Sequence, residues 1–237
     1  METTSQSVTT SSVQPSNNSL TAKSGFKAEY IFRNHTEIKS ALEQYFGKKI
    51  TLFEKIHGKK YDTKIYFDDG SSVKIQNKKI QGLLGRGDSF DRRTLEKTFT
   101  NQDILSNLKD LTISRRNSMT TQEKNAFANL CNNNIEEIHQ YLQKTFCGNT
   151  GEENEYWAIF QTDKNFSFIK LYIISTEKFY NYLKSNIAVK ICRTCMHLSP
   201  QIYLQRKGGG SKDHSPNDIQ AKLKVNQEML DLCDKIL

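Results

Sequence analysis

The sequence predicts an α/β fold of mixed α+β character. Three observations predict it. Two short alternating runs, residues 61–67 and 72–78, flank Asp68-Asp69-Gly70-Ser71, and Asp-Gly between such runs is a strong hairpin signal. Residues 157–160 and 166–174 are strongly apolar and short, the pattern of central strands. Between and around them lie stretches with helical periodicity.

The elements follow in order. Residues 1–20, "METTSQSVTTSSVQPSNNSL", are rich in Ser, Thr, Asn and Gln with no apolar face, and are expected to be a disordered polar tail. Residues 21–237 are expected to form one domain. In "EYIFRNHTEIKSALEQYF", Tyr30, Ile31, Ile38, Leu42 and Phe46 share a helical face. Asn34-His35 is a weak interior, so Thr36 is placed as the cap of a second helical piece. "KKITLFEKI" reads as a strand, and the hairpin over 61–79 follows. "GLLGRGDSFDRRTLEKTF" reads as a glycine-broken basic loop that becomes helical near Asp91. Residues 103–111 and 120–145 read as helices, as does 176–183. Residues 202–204 form a short strand, "QRKGGGSKDHSPND" a long basic loop, and 219–225 another alternating strand before a short helix or tail. No internal repeat is present.

The 237 residues carry 34 Lys and Arg against 26 Asp and Glu, a formal charge of +8. That surplus favours a polyanionic partner, nucleic acid before anionic membrane. No run is apolar enough to span a bilayer. Residues 1–20 lack the basic start and apolar run of a secretory signal, so a cytoplasmic location is expected. The five cysteines suit a reducing compartment. Cys192 and Cys195 have metal-ligand spacing with His197 close by, but a structural zinc needs four ligands and no second Cys-x-x-Cys exists. Ordinary, partly buried cysteines are the expected state. Gly-x-Ser-x-Gly, Walker and His-Glu-x-x-His motifs are absent, which removes the hydrolase classes that depend on them.

The hairpin is the candidate site. With a two-residue turn at Asp69-Gly70, Asp62 faces Asn77, flanked by Gln76 and Lys78 on one strand face; Lys74 sits nearer the turn. An acid beside a carbonyl oxygen and a lysine is the equipment of phosphodiester hydrolysis. The oxygens suit Mg²⁺, which activates water, and the lysine orients that water and offsets transition-state charge. Glu29, on the first helix, can supply a second carboxylate. The plainer reading of the same residues is a surface hairpin with a solvated charged face.

"TAKSGFKAEYIFR", the Asp62…Gln76-Asn77-Lys78 hairpin and "LSPQIYLQRKGGGSKDHSPNDIQAKLKV" occur in this order. Together they resemble the small type II restriction endonucleases that cut GCGC, a branch of the PD-(D/E)xK nuclease superfamily. "IYLQRKGGG" followed by "IQAKLKV" carries most of the likeness. Residues 100–190 show none. The resemblance implies a restriction-endonuclease-like core, a central mixed β-sheet flanked by helices, with the hairpin as its catalytic strands. It implies Asp62 as metal-binding aspartate, Lys78 as motif lysine and Glu29 as the helix carboxylate near the metal. Gln76 would stand where the superfamily usually has Asp or Glu, a departure typical of this branch. The implied ligands of Mg²⁺ are Asp62, Gln76 and Glu29.

The late loop, 205–218, would read DNA. Gln205, Arg206 and Lys207 carry donors for guanine edges or phosphates, and Gly208 and Gly209 permit close backbone approach. Arg86, Ser89 and Arg92 would also reach the groove. The implied activity is Mg²⁺-dependent cleavage of double-stranded DNA at a short palindromic, GC-only tetranucleotide. A cognate methyltransferase would be its genetic partner. A palindrome suits a homodimer, although a monomer nicking twice also serves. The alternative is a sequence-specific DNA-binding module without activity, suggested by the few acidic groups.

Overall fold

The structure is a computed structural model that describes residues 17–81, 84, 87–113, 119–149, 153–163, 165, 169–206 and 218–237. Helices α1 (Asn17–Asn34) and α2 (Thr36–Phe46) open the chain. The first helix thus begins inside the stretch expected to be disordered. Between them, His35 takes the extended cap conformation, one position earlier than the expected cap Thr36, which is instead the first helical residue. Gly47 ends α2 at φ +66°, a conformation that favours glycine.

Strands β1 (Ile50–Lys55), β2 (Thr63–Phe67) and β3 (Ser72–Gln81) follow. Next comes β4 (Gly87–Thr94), where the sequence suggested a loop and helix start. Its pairing partner lies far along the chain, so no local pattern announces it. After a 3-10 turn come α3 (Gln102–Ile113), α4 (Thr121–Asn133) and α5 (Ile135–Phe146). The single helix expected over 120–145 is therefore two, broken at Asn134, whose φ −113° and ψ 44° leave the helical region. Thr120 caps α4 through a reciprocal pair of bonds with Glu123.

Strands β5 (Tyr156–Thr162) and β6 (Ile169–Ser175), helix α6 (Thr176–Ser185), strands β7 (Lys190–Cys192), β8 (Cys195–His197), β9 (Ile202–Arg206) and β10 (Asp218–Lys224), helix α7 (Gln227–Asp231) and the short β11 (Asp234–Lys235) complete the chain. Two sheets result. The first has the order β1-β2-β3-β5-β6-β11, with β3 and β5 parallel and the other pairs antiparallel. The second, antiparallel throughout, has the order β4-β10-β9-β8-β7. A mixed central sheet flanked by helices matches the fold class read from the sequence.

Alternation along β3 and β5 divides the packing. Ile75, Ala158 and Phe160 face Phe32, Ile38 and Leu42 of the first two helices. Ile80, Trp157 and Ile159 face a larger cluster built from α3–α6 and the inner side of the second sheet. Trp157, fully buried, stacks on Phe146 with ring centroids 4.2 Å apart. Cys192 and Cys195 face each other across the β7–β8 hairpin, the first exposed and the second half-buried. Among the described residues no helix is long and apolar enough to cross a membrane.

Candidate active site

The hairpin turn contains three residues, not two. Phe67 N donates to Ser71 O at 2.9 Å, which leaves Asp68, Asp69 and Gly70 as the loop. Gly70 sits at φ +83°, the left-handed position that three-residue hairpin loops use. Asp69 pins the loop: its carboxylate accepts from Ser71 N at 2.9 Å and pairs with Lys48 at 2.7 Å. The ladder then runs Tyr66↔Ser72, Ile65↔Val73, Lys64↔Lys74 and Thr63↔Ile75. The ladder ends there, and Asp62, just before β2, donates its N–H to Ile75 O at 3.0 Å.

Gln76 Nε2 donates to Asp62 Oδ2 at 2.5 Å, and the Asn77 backbone N–H donates to the same oxygen at 3.0 Å. Lys78 follows Gln76 at the two-residue strand period, on the same face. Its Nζ donates to the Ser89 carbonyl of β4, so the neighbouring sheet aims the lysine. Asn77 turns to the other face, where its Nδ2 donates to Thr63 Oγ1 at 2.9 Å.

Burial pushes the Asp62 carboxyl up to about 6. The Asn77 N–H opposes that shift, Glu29 of α1 reinforces it, and Lys78 and Lys60 oppose it. Of the four sequence-predicted groups, Gln76 hydrogen-bonds Asp62, and the charges of Glu29 and Lys78 reach it.

The donor set can be tested against Mg²⁺. Among the described residues no group of three or more His, Cys, Asp or Glu forms a metal site. Mg²⁺ does not require one: it is commonly held by one or two carboxylates plus substrate phosphate, and keeps several waters. Asp62 and Glu29 supply two carboxylates, and Gln76 an uncharged amide oxygen. A carboxyl raised by burial and by a second acid is a place that gains from an added cation. The residues fit the ion.

The predicted DNA readers fare unevenly. Arg86, Lys207, Gly208 and Gly209 lie outside the described residues. Ser89 contributes its backbone carbonyl to Lys78. Arg92 is half of an ion pair: its Nε donates to Asp218 Oδ2 at 3.0 Å, tying β4 to the start of β10. Gln205 and Arg206 part company, because successive strand residues point to opposite faces. Arg206 pairs with Ile219, a core residue, and its Nε is buried without a partner among the described residues.

Gln205 keeps other company. Arg92, Gln220 and Gln205 stand in register across β4, β10 and β9, on the face away from the core residues Ile219, Ala221 and Leu204. Lys222 and Tyr203 form the next row on that face, with His197 stacked on Tyr203 and Lys224 over the same ring at 5.0 Å. Gln220, Lys222 and Tyr203 were not singled out from the sequence. The alternation in "IQAKLKV" was the available signal, since its polar positions are the outward ones.

No protein-family profile matches the sequence, and no curated protein matches it. Among solved structures, the chain is similar to the restriction endonuclease MspI in complex with its cognate DNA. The two share 12% identity over 85% of this chain and 82% of that one, with a TM-score of 0.47. The match is weak and partial, and the functional reading rests on the hairpin itself.

Proposed function

We propose that the chain is a Mg²⁺-dependent, site-specific deoxyribonuclease that hydrolyses double-stranded DNA at a short palindromic site, a GC-only tetranucleotide such as GCGC. The observation that carries this reading is the partly buried Asp62 carboxylate that Gln76 and the Asn77 N–H hold, with the charges of Lys78 and Glu29 acting on it. A charged, desolvated group of this kind is costly in a structural hairpin and useful at a site of chemistry. The motif resemblance assigns the same residues independently.

Asp62, Glu29 and the Gln76 amide oxygen would hold the ion. Bound there, the ion would supply Lewis-acid activation of water and offset phosphate charge. Asp62 must be ionised to take part, so the acid form of the site is inactive. Gln76 and the Asn77 N–H fix the Asp62 carboxylate in one orientation. Lys78, anchored by the Ser89 carbonyl, would orient the attacking water and donate to the phosphate as negative charge builds. The polar face of the second sheet, on the same β4 that positions Lys78, would meet base edges and phosphates.

The test is incubation with unmethylated plasmid or phage DNA, with Mg²⁺ or with EDTA, beside an Asp62→Ala variant. Discrete fragments requiring both Mg²⁺ and Asp62 are expected, and end sequencing would give the site. Salt-sensitive retention of one duplex without cutting would instead favour the binding module, the reading suggested by an amide at position 76 and by so few carboxylates. A cognate methyltransferase, if it exists, would protect the same sequence. Sedimentation with and without duplex separates the homodimer from the monomer.

A further inference from the structure

Beside the Asp62 cluster, and separate from it, lies an open recess of about 180 Å³ lined by Gly58, Lys59, Lys60, Arg93, Lys144, Gly148 and Asn149. Its described lining holds four cationic side chains and no carboxylate. Behind the lining, Asp91 serves two of those cations at once. It lies 3.6 Å from Lys60 Nζ and 2.7 Å from Arg93 Nε. The Lys60, Arg93 and Asp91 side chains keep only 13%, 16% and 12% of their exposure, so both cations lean on Asp91 largely out of water, with the Asp62 charge also reaching Lys60. The Lys60 ammonium also donates to the Phe90 carbonyl at 3.2 Å and lies over the Phe90 ring. Neither interaction brings a countercharge. The carbonyl end of α5 reaches the recess and disfavours an anion by about half a charge, which the four cations outweigh.

Burying a surplus positive charge costs free energy unless an anion completes it. The recess offers such an anion the Arg93 N–H groups that Asp91 leaves over, the largely buried Lys60 ammonium and two exposed lysines, donors of the kind a phosphate takes. Its walls also belong to the candidate site's own strands. Lys60 precedes Asp62 by two residues, and Asp91 follows Ser89 by two.

We propose that this recess is a phosphate-binding site distinct from the Asp62 cluster. Its occupant is either a backbone phosphate of bound duplex or free phosphate, and the first source alone rests on the nuclease reading.

The experiment uses the full chain in EDTA and compares wild type, Lys59→Ala/Lys144→Ala and, as a second variant, Lys144→Glu. Lys59 and Lys144 are exposed, so the substitutions leave the core untouched. Lys184→Ala/Lys235→Ala, also exposed, is the control. One arm titrates inorganic phosphate against chloride at equal ionic strength and reads thermal unfolding. A phosphate-specific rise of about 2–4 °C is expected in wild type and control, and its loss in both recess variants. The other arm titrates a labelled duplex at several salt concentrations. The slope of log affinity against log salt should fall by about 0.9 in the double variant if one backbone phosphate is no longer neutralised.

Loss of slope, with or without the phosphate shift, assigns the recess to duplex. Loss of the phosphate shift with an unchanged slope assigns it to free phosphate. No phosphate-specific shift in wild type, together with equal slopes in all chains, overturns the proposal. The nuclease reading fails separately: a chain that never cuts yet shows either arm keeps the recess, and a chain that cuts with neither arm loses only the recess.

Discussion

Asp62 concentrates the conflict between stability and function in one side chain. Its carboxyl is raised from 3.8 to about 6, chiefly by burial. Between those values the folded chain holds a proton that the unfolded chain has released, so metal-free stability falls as pH rises through that window. Above it the full cost is present, on the order of 3 kcal/mol. Asp62→Asn should therefore stabilise the metal-free chain at pH 8 by about 1–3 kcal/mol and flatten the pH dependence between about 4 and 6; urea unfolding in EDTA across that range would read both. The same variant should not cut DNA. An unchanged unfolding profile would show that the carboxylate is better solvated than its surroundings suggest. Glu29 acts on the same group through its charge. Glu29→Gln should move the Asp62 titration toward the ordinary carboxylate range, visible by carboxyl NMR. Lys78 differs: its charge acts on Asp62 while its ammonium donates to the Ser89 carbonyl. Lys78→Ala should cost about 10²–10⁴ in cleavage rate and leave duplex binding in EDTA nearly intact.

The hairpin turns these residues into a site, and its register depends on the loop. Gly70, at φ +83°, has nothing within 4 Å of an added Cβ, so substitution there meets backbone strain without a clash. Gly70→Ala should lower stability by about 1 kcal/mol with the register, and hence cleavage, preserved; chemical denaturation beside a cleavage assay checks both. Loss of cleavage out of proportion to stability would mean that the ladder slips, since a one-residue slip turns Gln76 and Lys78 away from Asp62. The hairpin itself was legible because its signals are local: alternation on both sides and Asp-Gly between. Its register was not, because Asp-Gly fits loops of two or three residues and the choice rests on the bonds from Asp69 to Lys48 and Ser71. Strand β4 was illegible for a related reason. "GDSFDRRT" carries more charge than apolar surface, and β10 pairs with it from more than a hundred residues away, as Arg92 and Asp218 show at a separation of 126. Asn134 breaks α4 from α5 without the glycine or proline that marks most helix ends. Glu29 was legible only as a helix carboxylate able to supply a second acid, since no spacing links a helix position to a distant strand.

At the scale of the molecule, the proposed function would divide its labour between two sheets of a chain with a charge of +8. The first carries the acid, amide and lysine; the second presents a polar face that shares β4 with the lysine's anchor. Chemistry and recognition should then be separable by mutation. Gln205 and Gln220 stand opposite each other on that face, and both carry the amide pair that can meet a base edge at two points. Neither bears a charge, so their removal releases no counterions. Gln205→Ala/Gln220→Ala should weaken binding to the cleaved sequence by about 1–3 kcal/mol for each base edge that is no longer met. Binding to unrelated duplex should stay within experimental error, and the salt dependence of both should be unchanged. Competition titrations of cognate against non-cognate duplex, in EDTA and at two salt concentrations, read all three quantities together. A uniform weakening with a shallower salt slope would reassign the face to backbone phosphates and leave sequence reading to the rest of the 205–218 segment expected from the sequence. A weakening confined to the cognate duplex would place part of the specificity on strands β9 and β10, held in register by the sheet and joined through β4 to Lys78 of the candidate site.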